Sequence, residues 1–86
     1  MIQYYEMSPT VHREAEFRFY FFSREEARPH VHVETASGEA KFWLEPIVAL
    51  AMNKGMSPRQ LRSAQRIVEK QRDAILKDWK THFKKA

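Results

Sequence analysis

The feature that most constrains this chain is a helix signal in its last third. Ser57-Pro58-Arg59-Gln60 is a capping box, with Ser57 at the N-cap, Pro58 at the first helical position and Gln60 two positions on. Met56 and Leu61 occupy the flanking staple positions. Leu61, Ala64, Ile67/Val68, Ile75, Trp79 and Phe83 then recur at helical spacing. The pattern predicts a long basic helix over 57–84, regular from Pro58 to about Phe83 and roughly 40 Å long at about 1.5 Å per residue. A strand of six residues spans only roughly 20 Å. Such a helix is expected to overhang its sheet. Trp79 and Phe83 would then need another surface: the N-terminal arm, a second copy or a partner.

The preceding residues read as strands over 10–46, behind a short arm at 1–9. Phe17 to Phe22 is dense in aromatics. Thr10 to Arg13 is expected to pair with it through a three-residue loop, Glu14-Ala15-Glu16. That loop sets Val11 opposite Phe19 and His12 opposite Arg18. His30 to Thr35 and Glu39 to Leu44 both alternate, with Ser37-Gly38 as a tight turn between them. Pairing Ala36 with Glu39 places Val33 against Phe42, Val31 against Leu44, Glu34 against Lys41, His32 against Trp43 and His30 against Glu45. Pro46 should end that ladder. The expected core is Val11, Phe19, Phe21, Val31, Val33, Phe42, Leu44, Leu61, Ala64, Val68 and Ile75.

These elements make one α+β domain over 1–86, an antiparallel sheet of about four strands covered on one face by the helix. Eighty-six residues leave no room for a second core. With 43% hydrophobic residues the chain is too apolar for disorder. It has no cysteine, and a secreted domain of this size would ordinarily need disulfides, which points to a reducing, cytoplasmic setting. No apolar run approaches a membrane span, and the first residues do not read as a signal peptide. Charge is uneven. Residues 1–56 hold 6 Lys/Arg against 8 Asp/Glu, and residues 57–86 hold 9 against 3. The basic excess sits on the helix, which suggests a polyanion or an acidic partner; the plain alternative is a solvated face.

Three constellations could carry chemistry. Period two puts His30, His32 and Glu34 on one sheet face, and the expected registers add His12, Arg18, Tyr20, Lys41 and Trp43. Phosphodiester chemistry needs such a mixture of base, acid and cation, and RNA is bound on sheet aromatics. Glu45 opposite His30 would orient that imidazole. Against this, paired histidines on a strand are often only hydrogen-bonded surface residues. A zinc site would need His12, Glu34 or Glu45 as third ligand, and no metal or other cofactor is expected. The second constellation, Leu50 to Ser57 followed by Leu61 and Ala64, fits a helix-turn-helix spacing with Arg59, Gln60 and Arg62 starting a recognition helix. A plain loop before a capped helix fits it too. The third is the ridge Arg59, Arg62, Arg66, Lys70, spaced to lie along a phosphate backbone, an acidic partner or water.

Residues 8–14 (Ser-Pro-Thr-Val-His-Arg-Glu), 17–23 (Phe-Arg-Phe-Tyr-Phe-Phe-Ser), 29–34 (Pro-His-Val-His-Val-Glu), 38–46 (Gly-Glu-Ala-Lys-Phe-Trp-Leu-Glu-Pro), 55–61 (Gly-Met-Ser-Pro-Arg-Gln-Leu) and 76–83 (Leu-Lys-Asp-Trp-Lys-Thr-His-Phe) resemble the bacterial domain-of-unknown-function family 4160. The resemblance implies a short bacterial protein with no established activity, often encoded beside another small protein in a toxin–antitoxin-like pair. It marks His30, His32 and Trp43 as signature positions without an agreed role. The first hairpin turn of the family is often glycine-containing, whereas here it reads Glu14-Ala15-Glu16.

The leading expectation is a nucleic-acid-acting component of such a pair, binding or cleaving RNA. His30 and His32 would be the acid/base candidates. Arg18, Lys41, Arg59, Arg62 and Arg66 would hold phosphate, and Tyr20 and Trp43 would stack. The expected partners are nucleic acid, RNA ahead of DNA, with a cognate small protein or a second copy also open and no membrane. The alternatives are a helix-turn-helix-like DNA-binding regulator and a non-enzymatic protein-interaction module.

Overall fold

The computed structural model describes residues 10–22 and 27–83. The expected arm at 1–9 and the helix end at residue 84 lie outside them. The described chain is α+β: β1 (Thr10–Glu14), β2 (Phe17–Tyr20), β3 (His30–Glu34), β4 (Glu39–Trp43), β5 (Ala49–Lys54) and α1 (Pro58–Phe83). The strands form one antiparallel sheet in the order β1-β2-β3-β4-β5.

The helix begins where the capping box places it. The Ser57 amide donates to Gln60 Oε1 at 2.9 Å, and the Gln60 amide donates to Ser57 Oγ at 3.1 Å. Pro58 has no N–H, so two of the three otherwise unsatisfied donors of the first turn are thereby paired. Ala64, Val68, Ile75 and Leu76 are its buried residues. They close over Phe17, Phe19, Phe21, Val31, Val33, Ala40, Phe42 and Leu44, with Val11, Leu61, Trp79 and Phe83 packed at the margin. Every expected core residue is therefore in or against the core. Each fully buried Phe or Val contributes about 1.5–3 kcal/mol relative to exposure.

Both hairpin registers differ from expectation. In the first, Glu14 pairs with Phe17, Arg13 with Arg18 and His12 with Phe19, with a bulge between Thr10 and His12. The turn has two residues, because Ala15 takes a left-handed conformation at φ 55°. The bulge absorbs the extra residue and leaves Val11 packed against the core. In the second, His30 pairs with Trp43, Val31 with Phe42, His32 with Lys41, Val33 with Ala40 and Glu34 with Glu39. This is a slip of two residues, so each side chain keeps its face while its partner changes. The turn is a four-residue loop. The Thr35 amide donates to the Gly38 carbonyl at 2.8 Å, and Thr35 Oγ1 accepts from the amides of Ser37 and Gly38 at 3.2 and 3.3 Å. The charge pairing expected within this hairpin comes instead from β2, where Arg18 lies opposite Glu34 and bonds it at 3.1 Å.

The fifth strand overturns the helix-turn-helix geometry. Residues 49–54, which would have held the first helix, pair with β4. Asn53 then closes the bend into α1: its Nδ2 donates to the Met56 carbonyl and its Oδ1 accepts the Met56 amide, both at 3.1 Å. Gly55, at φ 93°, completes that bend. The chain has two glycines, and this bend sets them against each other. A Cβ on Gly38 would clash with the Lys54 carbonyl oxygen, and one on Gly55 would fall 2.7 Å from that of Ser37.

The helix does not hang free. Phe83 packs at 6.0 Å from Phe21, Trp79 at 4.7 Å from Phe83 and 6.5 Å from His30 (ring centroids). Arg72 Nε donates to the Leu44 carbonyl at 2.9 Å. Phe21 and Leu44 follow the ends of β2 and β4, and these continuations extend the sheet's core face to meet the helix end.

Two stability outcomes follow. Ala15→Gly should stabilise by about 0.5–1 kcal/mol, the left-handed penalty less glycine's added chain entropy, read by urea denaturation. Gly38→Ala should destabilise by about 1–3 kcal/mol, because backbone rather than a side-chain end stands in the way.

Candidate functional site

The sheet has a second face, opposite the helix. Alternation places Arg18 and Tyr20 of β2, His30, His32 and Glu34 of β3, and Lys41 and Trp43 of β4 on it, and the pairings Arg18–Glu34, Tyr20–His32, His32–Lys41 and His30–Trp43 join them. The expected surface of imidazoles, cations and aromatics is thus one patch, with one exception. His12 lies opposite Phe19, its ring 5.7 Å away, and Nε2–H donates to Glu14 Oε1 at 2.9 Å. The first-hairpin register moves it to the helix side, away from His30 and His32.

The two central histidines are enclosed. His30 is 1% exposed and His32 is 7% exposed. Tyr20 stacks on His32 at 5.4 Å, Phe22 meets it edge-on at 4.4 Å, and the His30 ring stands 5.2 Å away. His30 also contacts Trp43 edge-on at 5.8 Å. Its Nδ1 lies 2.7 Å from the Arg28 carbonyl oxygen, which can only accept, so Nδ1 carries the proton. That carbonyl, not Glu45, orients the ring; Glu45 instead lies 3.9 Å from Lys80. Tyr20 is 4% exposed and so presents no open ring for a base. Among the described residues no group of three or more His, Cys, Asp or Glu is arranged to hold a metal ion.

The rim of this face is cationic. Arg18 lies over Tyr20 at 4.6 Å, and its Nε donates to Thr10 Oγ1. Lys41 Nζ lies 4.7 Å from the half-buried Trp43 ring and the Arg28 guanidinium 4.1 Å from it. Arg28 and Phe22 were absent from the residues singled out in the sequence. Parity could have found both, since residue 28 shares a face with His30 and residue 22 with Tyr20.

The second group of expected phosphate ligands lies elsewhere. Arg59, Arg62, Arg66 and Lys70 are all exposed, on the side of α1 away from its buried stripe. The sheet and helix therefore stand between this ridge and the Lys41–Trp43 rim. No ion pair joins the four ridge cations to an acid among the described residues, whereas Arg18, Arg72 and Lys80 each have one. The nearest helix acid in the row, Glu69, accepts from Gln65 Nε2 at 3.1 Å.

Enclosed imidazoles with ring neighbours contribute to packing. His30→Ala and His32→Ala should each cost about 2–3 kcal/mol, measured by chemical denaturation; a cost below about 0.5 kcal/mol would mean that the rings are loosely held and free for other work.

The model of a family described as a domain of unknown function, DUF4160, matches residues 16–80. No curated protein matches, and no solved structure matches. The matched span holds β2 to β5 and most of α1, including the enclosed histidines, the Trp43 rim and the whole cationic ridge. On that span, well over half its length, the chain belongs to the domain-of-unknown-function family DUF4160.

Proposed function

We propose that the protein binds nucleic acid, RNA ahead of duplex DNA, through the cationic ridge of α1. The observation that carries this reading is the row Arg59, Arg62, Arg66 and Lys70, exposed at helical spacing and without an acidic partner among the described residues. A row of this kind follows a phosphate backbone and releases counterions on binding. Arg59 strengthens the argument. The first turn of α1 has no acidic residue, although the helix dipole favours an acid there and disfavours a cation. A residue that weakens the helix start is accounted for by a bound anion, which both the cation and the positive end of the helix dipole would attract.

RNA is placed ahead of duplex DNA because β5 occupies the segment that a groove-reading helix pair would need. Binding is placed ahead of cleavage because His30 and His32 are enclosed by Tyr20, Phe22 and Trp43. Acid/base work requires an imidazole within hydrogen-bond reach of the reacting group. A role inside a bacterial toxin–antitoxin-like pair enters this reading through the family resemblance alone.

The test combines binding, salt dependence and stability. Arg59→Ala, Arg62→Ala and Arg66→Ala together should lower the slope of log K against log salt by about 2–3, at about 0.7–0.9 per lost phosphate contact. Arg59→Glu should raise stability by about 0.3–1 kcal/mol while weakening RNA binding. An unchanged salt slope in the triple variant would make the ridge a solvated face. RNA cleavage by the wild type that His32→Ala abolishes without unfolding would restore the catalytic role of the histidines.

A further inference from the structure

We propose that Arg28, held over Trp43, is a platform for one unpaired base of a single-stranded RNA. The inference rests on the nucleic-acid reading and adds to it a second site, on the face of the sheet opposite the ridge.

Three features of Arg28 carry it. The guanidinium carbon lies over the Trp43 ring, 4.1 Å from the centroid, so an aromatic face borders the cation on that side. Nε donates to the Glu45 carbonyl at 3.1 Å, which fixes the plane from the edge. The residue is nevertheless exposed. A long side chain on a surface ordinarily has many rotamers, and ordering it opposes binding. Here the order is already present in the protein alone. A planar cation fixed in this way offers a stacking surface to a nucleobase, and its outer N–H groups meet base acceptors or phosphate.

The surroundings suit the same ligand. Lys41 Nζ lies 4.7 Å from the Trp43 ring, and Lys80 lies 3.9 Å from Glu45, so two further cations border the stack. Charge alone would attract any polyanion. The stack selects for an unpaired base, because the bases of a duplex are stacked on one another and present no face. Tyr20, His30 and His32 are enclosed and cannot compete for the base, whereas Phe22 on the same surface is 41% exposed.

The experiment is anisotropy of a labelled short single-stranded RNA and of an RNA duplex, titrated with the wild type, Arg28→Ala, Arg28→Lys and the ridge triple variant. Thermal unfolding of each variant confirms that it is folded. Arg28→Lys retains the charge and loses the plane. Both Arg28 variants should bind the single strand about tenfold more weakly, within the range for one lost base stack, and bind the duplex as the wild type does. Wild-type affinity of Arg28→Lys for the single strand, or an equal loss on duplex and single strand, would overturn the platform and leave the ridge reading standing. A ridge triple variant with wild-type affinity for both RNAs would overturn the ridge reading instead. A wild type that binds neither RNA would overturn both.

Discussion

Everything in this molecule depends on the burial of one helix stripe on one sheet face. Ala64, Val68, Ile75 and Leu76 close over Phe19, Val33, Phe42 and Leu44, and most of the apolar area of the domain is removed from water there. A small domain has only one core, so this contact decides what every other side chain can do. Residues of even number on β2 and of odd number on β4 are sent to the opposite face. On α1, the positions between the buried ones are sent to solvent, and these are the arginines of the ridge.

The consequence for function is a separation. The cations divide into a ridge on the outer side of α1 and a rim around Trp43 on the far side of the sheet. They differ in character. The ridge is exposed and without acidic partners among the described residues, which suits long-range attraction of a polyanion. The rim is ordered by ring contacts and by a carbonyl, which suits a ligand with a defined shape. Between them, the enclosed histidines fill the open face of the sheet with rings rather than leaving a cleft.

Much of this was legible along the chain. The capping box, the helical stripe and the alternation of β3 and β4 are local patterns, and local patterns depend on spacing alone. They identified the faces of the strands and the core. Registers were less legible. A two-residue slip preserves every face, so alternation cannot distinguish it. Cross-strand chemistry misled because β3 has two neighbours: Glu34 found its cation on β2, at Arg18, and not on β4. The first turn misled because a two-residue connection needed Ala15 in a conformation that alanine rarely takes. Glycine is the residue such a conformation prefers.

The sequence by itself determined the class of fold, the helix with its start, the two faces of the central strands and the cationic row on α1, because each is set by residues within a few positions of one another. Tertiary structure alone decided that residues 49–54 form an edge strand, that the two glycines must meet, that Phe21 and His30 receive the end of the helix, and that His30 and His32 are enclosed while Arg28 stays exposed. Those outcomes depend on which distant segments come into contact, and close packing, rather than spacing along the chain, selects them.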